Sequence, residues 1–402
     1  MNRRAFLVSA SCLAARAEDW PQFRGPGGQG YSTETDLPIE WGESRNITWK
    51  VPVPGRGWSS PSIAGNRIWL TSATDGGKSL RAMALDLKSG LTVTNVEVFR
   101  PTGDLKIHEK NSQASPTPVI DGDHVYLHFG SHGTACIRTT GELVWKRRFV
   151  YYHRHGPGGS PAVYKDLLIL SCDGYDTQFV AALDKKTGGI RWKKPRNGYQ
   201  AYTTPLIINV GGKDQVVSPG AHRAIAYEPL TGEEIWSVSY GTGYSNVPRP
   251  VFGHGLVFIC TGFDQPSVLA VRPGGKGDVT KSHIVWTISR GAPLTPSPIL
   301  VGNELYFVSD NGVASCVDAQ TGREHWRRRL GGNYSASPVY AGGRIYFTSE
   351  ECETSVIAAG RQFSLLAKNS LDAPCLASIA VSDHAIFLRT DSHLFRIEQT
   401  SR

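Results

Sequence analysis

The chain has 402 residues, of which 19% are charged, and a formal net charge of +8 at pH 7. No apolar run reaches the ~20 residues of a membrane-spanning helix. No lysine or arginine run is longer than Arg327–Arg329, so the composition favours neither a transmembrane protein nor a nucleic-acid-binding protein.

The first 17 residues have the pattern of an export signal. Arg3 and Arg4 precede a short apolar stretch, and residues 15–17 have the small-x-small form of a cleavage site. The paired arginines also match a twin-arginine signal, and Cys12 offers a weak match to a lipoprotein cysteine. We therefore expect export by the Sec or the twin-arginine route to a periplasmic or extracellular location. Residues 18–45 would form an N-terminal extension.

From residue 46 to 402 the sequence predicts a single repetitive domain. A proline recurs seven residues before a short apolar triplet, as in Pro61 before Ile68-Trp69-Leu70, with successive prolines 40 to 57 residues apart. Such a period, built from short strands, indicates one supersecondary unit repeated many times. The recurring prolines are Pro61, Pro118, Pro161, Pro205, Pro250, Pro298 and Pro338.

Each repeat continues in the same order after its triplet. A second alternating run is followed by a Thr-Gly or Ser-Gly turn, and then by a strand that in most repeats carries a tryptophan. This order predicts four short antiparallel strands, named A to D, with glycine supplying the positive φ of the tight turn. A four-stranded sheet must bury both faces, which a radial arrangement achieves, so the fold class is an all-β propeller. The tryptophans are Trp145, Trp192, Trp236, Trp286 and Trp326.

The blade count follows from the two ends of the domain. An eighth repeat begins near Ile379, but the chain ends without its strand D, and residues 47–51 supply a tryptophan-containing strand at the other end. We therefore predict eight blades, with the N-terminal strand closing the ring. Two repeats lack the tryptophan, which leaves seven blades as the alternative.

Six cysteines follow the leader, and none has the spacing of a metal site or a redox motif. Most lie within strand patterns and are expected to be small buried residues. Cys352 and Cys375 lie in predicted loops, where a disulfide in an oxidising compartment remains open.

The repeat Ser-x-Pro…Val-Tyr-Phe…Ala-Leu-Asp…Thr-Gly…Trp resembles the PQQ-like repeats of quinoprotein alcohol dehydrogenases and of the outer-membrane assembly lipoprotein BamB. The segment Asp19–Pro26 resembles the start of exported PQQ-like propellers of planctomycetes and acidobacteria. The dehydrogenase branch implies PQQ and calcium on the propeller axis. Adjacent cysteines, which often form a disulfide in that branch, are absent here, and the chain is shorter. The BamB-like branch matches better and implies a scaffold that binds partners through loops and strand edges.

Candidate site residues come from the loops that gather at one mouth of such a ring. The His153-x-His155 pair could bind a metal, but it is more typical of a polar loop, so no metal site is predicted. Converging arginines would favour an anionic ligand or an acidic peptide. The candidates are Arg56, Trp58, His132, His153, Arg154, His155, Tyr202, His222, Arg249, Arg290 and Tyr334.

We therefore interpret the sequence as an exported, non-catalytic propeller without a cofactor. Its expected partner is a protein, a peptide or a small anionic ligand, bound at the channel mouth. The alternatives are a PQQ- and calcium-dependent oxidoreductase and a propeller that binds or acts on carbohydrate. The oxidoreductase requires an acidic calcium cage on the axis. A carbohydrate site requires exposed aromatic rings, and glycoside hydrolysis requires two carboxylates roughly 5–9 Å apart.

Overall fold

The computed structural model describes residues 18–102 and 106–399, whose regular secondary structure is almost entirely β-strand. The predicted export signal and Cys12 lie outside the described residues. The first half contains short 3-10 turns at Pro26–Gly28, Asp75–Gly77 and Gly130–His132. Its strands are β1 (Ile47–Pro52), β2 (Ser62–Ala64), β3 (Arg67–Thr74), β4 (Ser79–Asp86), β5 (Thr92–Phe99), β6 (Val119–Asp121), β7 (His124–His128), β8 (Thr134–Arg138), β9 (Leu143–Arg147), β10 (Ala162–Tyr164), β11 (Leu167–Asp173), β12 (Gln178–Asp184), β13 (Ile190–Pro195), β14 (Leu206–Val210), β15 (Lys213–Pro219), β16 (Arg223–Tyr227) and β17 (Glu234–Ser239).

The second half repeats the same pattern and adds one four-residue helix, α1, at Thr280–His283. The remaining strands are β18 (Val251–Gly253), β19 (Leu256–Cys260), β20 (Val268–Val271), β21 (Gly277–Asp278), β22 (Ile284–Ile288), β23 (Ile299–Val301), β24 (Glu304–Val308), β25 (Val313–Asp318), β26 (Glu324–Arg329), β27 (Val339–Ala341), β28 (Arg344–Thr348), β29 (Glu353–Ala358), β30 (Leu365–Ser370), β31 (Ala380–Ser382), β32 (Ala385–Arg389) and β33 (His393–Glu398).

The strands form eight separate antiparallel sheets, which are the eight predicted blades. Blades 1 to 4 are β2–β5, β6–β9, β10–β13 and β14–β17, and β21 adds a short parallel strand to the outer edge of blade 4. Blades 5 to 7 are β18–β19–β20–β22, β23–β26 and β27–β30. The eight-bladed count is confirmed, and the seven-bladed alternative is wrong.

Blade 8 is closed by the N-terminal strand, as the sequence predicted. It has the order β1-β33-β32-β31, and β1 pairs antiparallel with β33 through Trp49 opposite Arg396 and Val51 opposite Leu394. Strands from both ends of the domain therefore share one sheet. Such closure holds the ring together, because opening it requires breaking a complete strand pairing.

Four of the strand D tryptophans lie between neighbouring blades, where each meets the turn glycine of the next blade. Gly188 follows the Thr187 turn at φ +69°, and a β-carbon on it would lie 2.6 Å from the Trp145 ring. The Trp145 indole nitrogen donates a hydrogen bond to the Lys185 carbonyl of the same turn. The recurring Thr-Gly turn and the recurring tryptophan of the sequence are thus the two partners of one contact between neighbouring blades. The same glycine-tryptophan contact recurs at Gly90 with Trp49, Gly232 with Trp192, and Gly322 with Trp286.

A ring of hydroxyl groups surrounds the axis, contributed in seven of the eight blades by the residue two positions before the first strand. In each linked pair, the backbone N–H of one residue donates to the hydroxyl of the next, at 2.8–3.1 Å. The eighth position is Arg249, whose N–H donates to Ser297 but which offers no hydroxyl to Thr204. The hydroxyl members are Ser60, Thr117, Ser160, Thr204, Ser297, Ser337 and Ser378.

The N-terminal extension crosses the axis and closes one end of the channel. Its residues 20–30, here called the plug, hydrogen-bond to strands of blades 1, 2, 5 and 7. Within the plug, Arg24 donates to the Pro298 carbonyl, while Arg249 reaches out of the ring to the Phe23 carbonyl at 2.8 Å. Burial lowers the pKa of Arg24 to about 10 and that of Arg249 to about 9. The plug is therefore fixed by buried hydrogen bonds to several blades.

The six described cysteines are buried and form no disulfide. Interaction with the Cys352 thiol, together with burial, raises the pKa of the Cys375 thiol. None of the helices in the described ranges is long and apolar enough to span a membrane.

Candidate functional site

A cavity of about 540 Å³ lies on the propeller axis. Its floor is formed by Phe23 of the plug and by six hydroxyl residues of the axial ring. Its walls come from the loops that join each strand D to the next strand A, and all eight of these loops contribute. The cavity is closed by the plug at one end and is open at the other end, between the tips of those loops. A volume of 300–1,000 Å³ is typical of ligand sites.

Two cationic side chains, Lys110 and Arg154, and two histidines lie on one side of the mouth, on the β5–β6 and β9–β10 loops. Burial lowers the pKa of His155, which favours its neutral form. His108, Lys110, Arg154 and His155 all line the cavity. Lys110 reaches across the mouth to Glu350 of blade 7, with 2.9 Å between Nζ and Oε2. In the described part of the chain Arg154 has no acidic partner, so its charge is available to a ligand.

Among the described residues only one carboxylate lines the cavity, and one of its oxygens already accepts hydrogen bonds from the protein backbone. Asp310 Oδ1 accepts hydrogen bonds from the backbone N–H groups of Leu294 (2.7 Å) and Thr295 (3.1 Å). Burial raises the pKa of Asp310 above its ordinary value. The amide of Asn111, which also lines the cavity, donates to the carbonyls of His155 and Pro157.

The two histidines of the His153-x-His155 pair face different neighbours. The His153 ring is buried 5.0 Å from the His132 ring, and its Nδ1 accepts from the Ser131 N–H. The His155 ring lies in the cavity wall, 5.7 Å from His108. Burial lowers the pKa of His153 to about 3 and that of His132 to about 4, so both rings are neutral at pH 7.

One histidine and two carboxylates form a cluster at the β31–β32 turn, on the opposite face of the ring. His384 Nδ1 is 2.8 Å from Glu34 and 2.9 Å from Asp36, and the three possible ligand atoms lie within 4.8 Å. The hydrogen bond to Asp36 raises the pKa of His384. These contacts attach the N-terminal extension to blade 8 and are remote from the cavity.

Four aromatic rings continue from the cavity wall onto the surface of blades 3 to 5. We call Tyr175, Tyr199, Tyr244 and Phe263 the aromatic arc. Successive ring centroids are 6.5, 6.0 and 5.5 Å apart. Tyr244 and Phe263 also line the cavity, so arc and cavity form one continuous surface.

A buried ion pair fixes the two loops that carry the first half of the arc. Arg196 Nε donates to Asp173 Oδ1 at 2.6 Å, and Nη2 donates to the second carboxylate oxygen. Asp173 ends β11 just before the Tyr175 loop, whereas Arg196 follows β13 just before Tyr199. A bidentate pair of this kind restricts both orientation and distance, so the arc is held in place from below.

The structure brings only some of the predicted site residues to the cavity. Trp58, Arg154, His155 and Tyr202 line it. His222 packs beside the arc, with its ring 5.5 Å from Tyr199. The other candidates lie elsewhere. His153, Arg249 and Tyr334 are buried, His132 is half-buried, and Arg56 and Arg290 are at exposed loop positions.

Among the four arginines considered for an anion site, Arg154 alone lines the cavity. Arg249 binds the plug instead, because its guanidinium turns to the Phe23 and Pro205 carbonyls. Sequence reasoning also missed Phe23, Tyr175 and Phe263. The Trp-Pro-Gln-Phe-Arg segment of the plug was a visible aromatic signal, but nothing in the repeat indicates where it would dock.

The sequence comparison identifies one family along most of the chain. The model of the family described as outer membrane protein assembly factor BamB matches residues 26–149, 84–282 and 277–373. A relative of that name from Legionella pneumophila (strain Paris) is 26% identical over 140 residues, which is 32% of this chain and 33% of the relative. Another, from Burkholderia pseudomallei (strain K96243), is 39% identical over 54 residues, 13% of this chain and 14% of the relative. The chain thus spans about a third or less of these relatives.

The structural comparison shows the same ring in proteins of different activity. BamB from Moraxella catarrhalis superposes with a TM-score of 0.62 and 10% identity, covering 87% of this chain and 99% of that one. Quinohemoprotein alcohol dehydrogenase from Comamonas testosteroni gives 0.68 and 11%, covering 97% and 82%. At these identities the likeness concerns the fold alone. The family resemblance drawn from the repeat is confirmed.

Proposed function

Because the chain belongs to the outer membrane protein assembly factor BamB family, we propose that it is a non-catalytic binding propeller. It takes an extended segment of a partner protein at the open mouth of the axial cavity. Export to the periplasm or the cell exterior, based on the leader, is part of this proposal. The observation that carries it is a cavity closed at one end by the plug and lined at the other by aromatic rings and an unpaired arginine.

The shape of the site supports a partner that enters from one side. Phe23 forms the floor at the axis, so a ligand enters from the opposite end, where Tyr202, Arg154, Tyr244 and Phe263 are part of the lining. An extended polypeptide can place one end in such a cavity while the rest lies on the surrounding loops. The relatives named as assembly factors suggest a protein partner, and the unpaired charge of Arg154 in the cavity wall favours an acidic one.

The residues present do not fit PQQ with calcium. Calcium takes six to eight oxygen ligands, usually including several carboxylates. The described cavity wall offers the single carboxylate of Asp310, whose Oδ1 already accepts two backbone hydrogen bonds, and the Asn111 amide is engaged elsewhere. We therefore assign no chemical step to this group.

Glycoside hydrolysis is also disfavoured by the carboxylate count. Both stereochemical outcomes usually require two carboxyl groups flanking the bond, and Asp310 has no such companion among the described lining residues. The exposed rings of the aromatic arc meet the requirement for binding carbohydrate, but not the requirement for hydrolysing it.

The test is a titration of the purified full chain with PQQ and calcium chloride, followed by absorbance and melting temperature. We expect no saturable shift and no dye-linked alcohol oxidation. A saturable shift accompanied by dye reduction would establish the oxidoreductase instead. The Asp310→Asn variant is the matched control, because a genuine calcium site that uses this carboxylate loses the shift.

A further inference from the structure

We propose that the aromatic arc binds a proline-containing polypeptide segment in the polyproline II conformation. This inference rests on the proposed function and specifies its partner class. An acidic residue of the segment would face Arg154 at the edge of the cavity.

The rings of the arc are exposed to an extent that folding alone does not require. Tyr175, Tyr199 and Phe263 are 48%, 50% and 53% exposed. In the described part of the chain, the hydroxyls of Tyr175, Tyr199 and Tyr244 have no hydrogen-bond partner. A contiguous group of exposed aromatic side chains marks an interaction surface, and each free hydroxyl can donate to a carbonyl of a bound chain.

The spacing and tilt of the rings suit an extended chain. Centroid distances of 6.5, 6.0 and 5.5 Å are close to the rise of about 6.2 Å for two residues of polyproline II. The interplanar angles of 36°, 54° and 78° open clefts between successive rings. Proline rings can enter such clefts, as in other aromatic-lined grooves, whereas a sugar ring stacks on a flat, open face.

The loops beneath the rings are fixed before any ligand arrives. Besides the Asp173–Arg196 ion pair, Ser245 donates its N–H to the Gln200 carbonyl at 2.9 Å, which ties the Tyr199 loop to the Tyr244 loop. The residue beside Phe263, Asp264, adopts φ +81°, a conformation that persists only where its surroundings impose it. A stiff groove and a stiff polyproline II ligand lose little entropy on binding.

The charged side chains around the arc indicate which charge a ligand should carry. The Arg154 guanidinium stacks over the Tyr175 ring, with Cζ 4.7 Å from the centroid, and has no acidic partner among the described residues. The two nearby acids are engaged: Asp176 accepts from the Tyr152 N–H, and Asp264 accepts from the Thr242 hydroxyl. These hydrogen bonds leave both carboxylates charged, but Arg154 is the charged side chain that stacks on a ring of the arc, so an acidic residue beside the prolines complements it at that end.

The experiment measures fluorescence anisotropy of a labelled ten-residue peptide of eight prolines and two glutamates, titrated with the full chain. A peptide in which glycine and serine replace the prolines keeps the charge and removes the polyproline conformation. We expect the proline peptide to bind at least about tenfold tighter. Tyr199→Ala should weaken it about tenfold, as loss of an aromatic anchor does, whereas Tyr199→Phe should retain most of the affinity.

Tyr164→Ala is the matched control, because this tyrosine lies at the β10–β11 turn on the opposite face and should leave binding unchanged. Equal binding of both peptides, or binding indifferent to Tyr199→Ala, overturns the assignment. Competition by cellohexaose would show that the arc takes a glycan instead. If the proline peptide fails while a partner segment still cross-links within the cavity, the partner class is wrong and the proposed function stands.

Discussion

Replacing Gly188 with alanine tests the glycine-tryptophan contact that joins neighbouring blades. Gly188 has φ +69°, and its β-carbon would lie 2.6 Å from Trp145 Cε3 and 2.7 Å from Cδ2. The left-handed conformation costs an alanine about 1–2 kcal/mol. The overlap with the ring adds about 1–3 kcal/mol, the usual cost of overpacking. Because the Trp145 indole is held by its hydrogen bond to Lys185, the ring cannot move freely away. We therefore expect the free energy of unfolding to fall by about 2–5 kcal/mol.

The matched control is Gly255→Ala, measured alongside in urea denaturation followed by tryptophan fluorescence. Gly255 has nearly the same φ, +71°, but nothing lies within 4 Å of its β-carbon. It should therefore lose only the conformational part, about 1–2 kcal/mol. If both variants lose the same free energy of unfolding, the contact between Gly188 and Trp145 does not contribute to stability. Glycine would then be needed only for the positive φ of the turn.

The remaining predictions concern one buried ion pair and two histidines. Asp173→Ala leaves Arg196 buried without its partner, so the free energy of unfolding should fall by about 3–5 kcal/mol in urea denaturation; a loss below about 1 kcal/mol would contradict the role of the pair. The pKa of His153 is about 3 in the folded protein but about 6.5 in the unfolded chain. The folded state therefore favours the neutral ring, and the stability that this gives is fully present above pH ~6.5. It is lost as the pH falls toward 3. In melting temperatures measured across this pH range, His153→Gln should reduce the loss of stability at low pH. His384→Gln should have the opposite effect: Asp36 raises the pKa of His384, so the stability contributed by the protonated His384 ring is lost as the pH rises.

The ring could be predicted from sequence because its determinants are local and periodic. The proline, the Thr-Gly turn and the tryptophan recur at fixed offsets, and the closing strand was recognisable because Trp49 repeats the strand D pattern. Each signal reports on one blade and its immediate neighbour. Eight repeats of the same short-range information were enough to specify the architecture.

The site was predictable only in part, because its residues come from loops without a repeated pattern. Tyr175, Tyr199 and Phe263 are separated by 24 and 64 positions, and only the curvature of the ring brings them together. Arg249 was misleading for the same reason: it occupies a ring position that elsewhere carries serine or threonine, and its side chain binds the plug. Nothing in the local sequence indicates where the plug crosses the axis.

The central claim is that a partner segment enters the open mouth of the cavity. It is tested most directly by placing the photo-reactive residue p-benzoylphenylalanine at position 202 in the full chain, irradiating cells of the native host, and mapping the cross-linked peptide by mass spectrometry. Position 164, on the opposite face, is the matched control. The account predicts a cross-link from position 202 to one defined polypeptide segment and none from position 164. Cross-links from both positions to the same proteins, or from position 164 alone, would contradict it.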